Sequence, residues 1–154
     1  ILDPESTKKD ELDHLMTMFF PDVRTKRYIE IRMMDSIPYP LNFSAVGLVK
    51  GLFYNQDKLD KLYDFVGDIT MDQVLDTKVE MLEKGMEAKL KGMTLLQIGK
   101  WLLDLAYEGL DQEERTYLRP LEDLLIQGKN PYIHTRDRFE KGDRKYAIEW
   151  TMHE

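Results

Sequence analysis

The sequence predicts a mostly α-helical chain, with about six helices and one or two strands. Three observations carry this. Apolar residues recur at helical spacing through most of the chain beyond residue 40. Two Thr-x-x-Gln boxes, Thr70 with Gln73 and Thr94 with Gln97, have the spacing that opens helices. One stretch, Tyr28-Ile29-Glu30-Ile31-Arg32, alternates as a strand does, with Ile29, Ile31 and Met33 on one face and Tyr28, Glu30, Arg32 and Met34 on the other.

Residues 5 to 18 read as a helix capped by Thr7, with Leu12, Leu15, Met16 and Phe19 at helical spacing and Pro21 as its stop. Residues 22 to 27 lead into the strand and carry Arg24, Lys26 and Arg27. The apolar face of Ile29 and Ile31 is expected to pack on a core. Pro38 and Pro40 then impose an extended connector.

Residues 41 to 54 are apolar on nearly all sides and read as a buried helix, in which Gly47 and Gly51 let another element approach closely. Residues 56 to 66 read as an amphipathic helix capped by Asn55 and stopped by Gly67, with Leu59, Leu62, Tyr63 and Val66 inward. The Thr70 box opens a helix to about Lys84, with Val74, Leu75, Val79 and Leu82 as its inward stripe and Gly85 as its stop. Residues 86 to 92 read as a linker. The Thr94 box opens a helix to about Glu108 that packs Leu95, Ile98, Leu102, Leu105 and Ala106. Asp111 and Glu114 open another, which Pro120 kinks or restarts and Gly128 closes. A short helix over about 134 to 141 follows in a locally basic tail, where Trp150 is placed to anchor the end.

The 154 residues suffice for one domain with a real core. A net charge of -7 disfavours a general nucleic-acid role, which needs a basic surface. There is no cysteine, hence no disulfide, thiol nucleophile or thiolate metal site, and a cytoplasmic setting is compatible with that. No apolar run approaches the roughly 20 residues of a membrane span. The nucleotide-binding Gly-rich loops, His-Glu-x-x-His and Gly-x-Ser-x-Gly are all absent, and three scattered histidines have no metal-ligand spacing.

Chemistry is therefore sought on the strand. Glu30 and Arg32 share a face on a rigid support, suited to holding a divalent metal beside a phosphate. Spacing alone favours the plainer reading, an ion pair on a solvated sheet, because exposed charged pairs on strands are ordinary. Arg24, Lys26 and Arg27 read either as a phosphate or carboxylate site or as a solvated approach to the sheet.

The run His14-Leu15-x-Thr17-x-Phe19-x-Pro21-x-Val23-Arg24, followed by Tyr28-Ile29-Glu30-Ile31-Arg32 and Asp35, resembles the carboxyl-terminal part of glutamate–cysteine ligases of the plant and proteobacterial branch. There a His-Leu-Thr-Thr-x-Phe-Pro-x-Val-Arg run precedes a Tyr-Leu-Glu-x-Arg strand. Gly47-Leu48-Val49-x-Gly51-Leu52-Phe53-Tyr54 resembles a Trp-Val-Gly-Leu-Leu-Tyr run of the same proteins. The likeness is specific over 14 to 35. Met16, Met18 and the Asp35-Ser36-Ile37-Pro38 turn depart from the plant pattern.

The resemblance implies an ATP-dependent ligase that joins the γ-carboxylate of glutamate to the amine of cysteine through a γ-glutamyl phosphate. It implies that the strands belong to the antiparallel catalytic sheet of a larger α+β, glutamine-synthetase-like ligase, with residues 1–40 as an active-site strand region and 41–154 as a helical region. Glu30 would hold Mg and Arg32 would meet the transferred phosphoryl group, with Arg24 and Lys26 as further phosphate or substrate contacts. The expected partners are glutamate, cysteine, ATP and the remaining, amino-terminal part of the same enzyme, with no nucleic acid and no membrane. Two further expectations follow. The 154-residue piece is inactive alone, and its strand lacks neighbours to pair with. A non-catalytic helical interaction domain, or a related ligase with another acceptor amine, stays open at this point.

Overall fold

The computed structural model describes residues 8, 11, 14, 21–25 and 27–152. The chain divides into two compact units, Ile1–Asp35 and Ser36–Glu154.

In the first unit, Glu11 and His14 are helical. The remaining residues of the expected first helix, Thr7, Leu12, Leu15, Met16 and Phe19 among them, lie outside the described residues, as does Lys26. The unit's sheet is a hairpin of β1 (Val23–Thr25) and β2 (Ile29–Ile31), antiparallel, with Val23 opposite Ile31, Arg24 opposite Glu30 and Thr25 opposite Ile29. Residues 23–25, read from sequence as an approach, are thus a strand, and β2 has a neighbour within its own chain. The Ile29 face was expected to pack on a core, yet Ile29 is 71% exposed and Val23 and Met33 are also on the surface. Two strands cannot by themselves bury such a face.

The second unit starts with α1 (Leu41–Phe53), α2 (Gln56–Val66) and α3 (Met71–Lys84). A single 3-10 turn, Gly85–Glu87, leads to a second hairpin, β3 (Lys89–Leu90) with β4 (Met93–Thr94). This corrects the linker reading. Lys91 and Gly92 both have positive φ, 51° and 77°, as the two central residues of a tight, mirror-image hairpin turn require. Then come α4 (Leu95–Gly109), a 3-10 stretch (Glu114–Leu118), α5 (Arg119–Ile126), α6 (Pro131–Lys141) and α7 (Arg144–Glu149). Pro120 restarts the chain at the head of α5, where its missing N–H costs nothing.

The core lies where α1 meets α4. Leu52, Leu103, Leu105, Ala106, Leu110, Leu118 and Leu125 form one buried cluster. Both glycines of the Gly47/Gly51 pair receive another element, Gly51 the backbone of α4 and Gly47 the Tyr117 and Leu118 side chains of the 3-10 stretch. A Cβ on Gly51 would stand 2.5 Å from the Ala106 carbonyl oxygen and 2.8 Å from its Cα, and one on Gly109 would collide with the Gly51 backbone. Gly109 therefore serves a helix crossing besides ending α4. Ser44 Oγ donates to the Tyr117 carbonyl at 2.5 Å, and Tyr107 Oη to Glu122 at 2.8 Å. Burial, then the Glu122 acceptor, push the Tyr107 phenol up to about 12.

Three helices bury less than their patterns suggest. In α1 only one side is buried, and Phe43, Val46 and Phe53 are exposed. In α2, Leu59 and Leu62 are half-buried, but Tyr63 and Val66 face outward, and Phe65 packs on Trp101 with ring centroids 4.7 Å apart. In α3 the expected inward stripe is turned out, with Leu75, Val79 and Leu82 exposed and only Val74 half-buried. Polar bonds set that rotation. Thr77 Oγ1 donates to the Lys89 carbonyl at 3.1 Å, and Glu80 accepts from the Lys89 amide at 3.1 Å, so α3 is bound to β3 by its polar side.

Both Thr-x-x-Gln boxes are formed as expected. At the end of the chain, Trp150 Nε1 donates to Thr135 Oγ1 at 3.1 Å and the indole meets the His134 ring edge-on. Trp150 thus pins the tail to α6.

Candidate functional site

The site is built on the first hairpin. Alternation along β2 places Glu30 and Arg32 on one face, and the antiparallel register brings Arg24 of β1 directly opposite Glu30. The same register, carried one step further, sets Asp22 opposite Arg32, and the Arg32 amide donates to the Asp22 carbonyl at 2.9 Å. Four charged residues of alternating sign therefore share one face of two short strands.

The strongest contact there is between Arg24 and Glu30. The guanidinium Nε and a terminal nitrogen reach the same carboxylate oxygen, Oε2, at 2.8 and 2.7 Å. The Arg24 side chain is only 12% exposed and that of Glu30 33%, so the pair is partly desolvated and its geometry is held more firmly than that of a surface ion pair. Arg32 is half-buried on the same face, and Asp22, Glu30 and Arg32 each make further interactions.

Of the residues singled out from sequence, the hairpin brings Arg24, Glu30 and Arg32 together, while Lys26 lies outside the described residues. Arg27 and Tyr28 are exposed between the strands, and His14 is exposed on its helix. Asp22 was missed. Its signal was the alternation Asp22-x-Arg24, which mirrors Glu30-x-Arg32 and identifies the first strand once the intervening turn is recognised.

This arrangement can place one hard oxygen ligand beside guanidinium groups. Among the described residues no cluster of three or more His, Asp or Glu is poised to hold a metal ion. Mg nonetheless commonly takes one or two carboxylates and completes its shell with water and substrate phosphates. Glu30, oriented through one oxygen by Arg24, fits as one ligand of such a set.

A helical body joined to a strand pair with a Glu-x-Arg face defines a class, and the comparison with protein families gives it. The chain belongs to glutamate-cysteine ligase family 2 (GCS2), whose model matches residues 3–150. Among curated proteins it is similar to the chloroplastic glutamate–cysteine ligase of Medicago truncatula, 26% identical over 128 residues, which cover 81% of this chain and 25% of that protein. The Arabidopsis thaliana protein of the same name is 27% identical over 127 residues, covering 79% of this chain and 24% of its own length. The Brassica juncea protein is 29% identical over 130 residues, 81% and 25% respectively. The chain thus spans about a quarter of the length of the curated relatives it matches.

Proposed function

We propose that this chain acts as part of an ATP-dependent ligase that joins the γ-carboxylate of glutamate to the amine of cysteine through a γ-glutamyl phosphate, the first step of glutathione synthesis. The observation that carries the reading is the family match over residues 3–150, taken with a partly desolvated carboxylate–guanidinium pair on the strand that bears the Glu-x-Arg motif.

In this reading Glu30 would hold Mg through a carboxylate oxygen, and the bound ion would supply charge compensation for the ATP phosphates. Arg32 meets the transferred phosphoryl group, because a planar, always-charged guanidinium makes paired contacts to phosphate oxygens. Arg24 orients Glu30 and lines the site, and Lys26 is a further phosphate contact. Phosphoryl transfer asks for positioning and charge compensation more than covalent participation, and this set of side chains can supply both. The remaining carboxylates and most of the glutamate pocket come from polypeptide outside this chain. A cytoplasmic setting belongs to the same proposal; the matched plant proteins are chloroplastic by name.

The test is Mg-dependent protection of the whole ligase by ATP against proteolysis, with and without Glu30→Gln. The expected result is protection that needs at least about tenfold more Mg in the variant. Unchanged Mg dependence removes Glu30 from the metal site. Absence of any nucleotide protection favours a non-catalytic interaction domain instead, and amine competition with cysteine tests the acceptor.

A further inference from the structure

The outward stripe of α3 is the largest departure from what amphipathic patterning leads one to expect. Met71, Leu75, Val79 and Leu82 stand at i, i+4, i+8 and i+11, on one side of the helix, and are between 51% and 83% exposed. The stripe runs at its carboxyl end into a cleft of about 680 Å³ within the same unit, whose apolar lining includes Met81, Leu82, Met86, Tyr132 and Ile133. Stripe and cleft make one continuous apolar track along a four-turn helix. Contiguous apolar surface of this kind marks an interaction site when it is rimmed by polar groups.

The rim is mixed but carries more acid than base, with Lys84 and Arg136 also lining the cleft. Asp72, Asp76 and Glu83 follow the edge of the stripe, and Glu87 stands at the cleft; all four are exposed. The nearby cations are already engaged. Lys84 is held by Glu80 at 2.6 Å, Arg136 lies 3.8 and 3.7 Å from Asp137 and Glu140, and Lys78 on the opposite edge also has a partner. The track therefore offers apolar anchoring beside a rim of net negative charge.

We propose that α3 and the adjoining cleft form a docking groove for an amphipathic helix whose apolar face is flanked by Lys and Arg. Apolar anchors at i, i+3, i+4 and i+7 fill such a groove, and the flanking cations set orientation and reject acidic competitors. The groove lies in the helical unit, and the proposal does not depend on the ligase reading.

The test uses the 154-residue chain and two fluorescein-labelled helical peptides of about 14 residues, four turns at 3.6 residues each. Both carry the same Leu stripe, one flanked by Lys and the other by Glu, and binding is read as anisotropy. The Lys-flanked peptide is expected to bind at least about tenfold more tightly, with the preference shrinking as salt rises. Leu75→Gln with Val79→Gln should weaken it at least about tenfold, and Asp76→Lys with Glu83→Lys should abolish or reverse the preference. All four positions are exposed, so the variants keep the fold, which circular dichroism checks; Phe43→Gln, on the outer side of α1, should bind as the parent does. Equal binding of both peptides, no binding of either, or indifference to the variants overturns the proposal. So does concentration-dependent dimerisation lost in the Leu75/Val79 variant, which would give the face to a second copy.

Discussion

At the scale of single residues, the Arg24–Glu30 pair shows how register converts two ordinary charges into one held unit. Its partial burial makes each partner depend on the other. Replacing Arg24 with Met is expected to cost the hairpin about 1 kcal/mol, because it leaves Glu30 with one fewer charged donor. Faster amide exchange at Glu30 and Arg32, whose N–H groups face β1, would report the loss; unchanged exchange would mean that the pair contributes nothing to hairpin stability. His134 is a second residue whose surroundings matter. Burial against Trp150, then the charges of Arg138 and Lys129, hold its imidazole below the usual range, with Asp137 opposing weakly. The folded form thus prefers the neutral ring. The unfolded chain takes up the proton first, so the contribution is complete above about 6.5 and is lost as the pH falls from there through the lower folded value. The urea midpoint should therefore drop between pH 7.5 and 5, and His134→Gln should flatten that part of the curve. A variant with the same slope would assign the pH dependence to other groups.

At the scale of elements, caps and crossings carry the fold. Thr94 accepts from the Gln97 amide at 3.2 Å while Gln97 accepts from the Thr94 amide at 2.9 Å, which satisfies two orphan donors at the head of α4. Thr94→Ala should cost about 1 kcal/mol in chemical denaturation. The α1–α4 crossing is less forgiving. Ala at Gly51 or Gly109 places a methyl group against backbone, which cannot rotate away as a side chain can. The expected cost is about 1–3 kcal/mol, against a smaller effect for Gly47→Ala, whose new methyl would meet the movable Leu118 side chain at 3.3 Å. Similar midpoints for all three variants would argue against a backbone-limited contact.

At the scale of the whole molecule, a helical unit built on one Leu-rich cluster stands in the same chain as a two-stranded sheet with an exposed apolar side. Among the described residues no helix is long and apolar enough to cross a membrane. The candidate face carries two carboxylates, Asp22 and Glu30, and among the described residues no group of three or more such ligands could hold a metal ion. The 154-residue chain is therefore expected to release no phosphate from ATP in the presence of glutamate and Mg, measured by a coupled phosphate assay. Clear turnover would show that the chain holds all the ligands the reaction needs.

Local signals in the sequence already determined the helical class, both Thr-x-x-Gln helix starts, the glycine pair for a close crossing and the alternating strand with Glu30 and Arg32 on one face. They are legible because each depends on neighbours within one or two turns or along one strand. The motif run from His14 to Asp35 was legible for the same reason. Tertiary structure alone decided that Arg24 faces Glu30, because strand register joins residues six apart through a turn whose geometry composition does not specify. It also decided the rotation of α3. An apolar stripe states that a helix has a face to cover, while the bonds from Thr77 and Glu80 to Lys89, which lies beyond the helix and its closing 3-10 turn, determine which side turns inward.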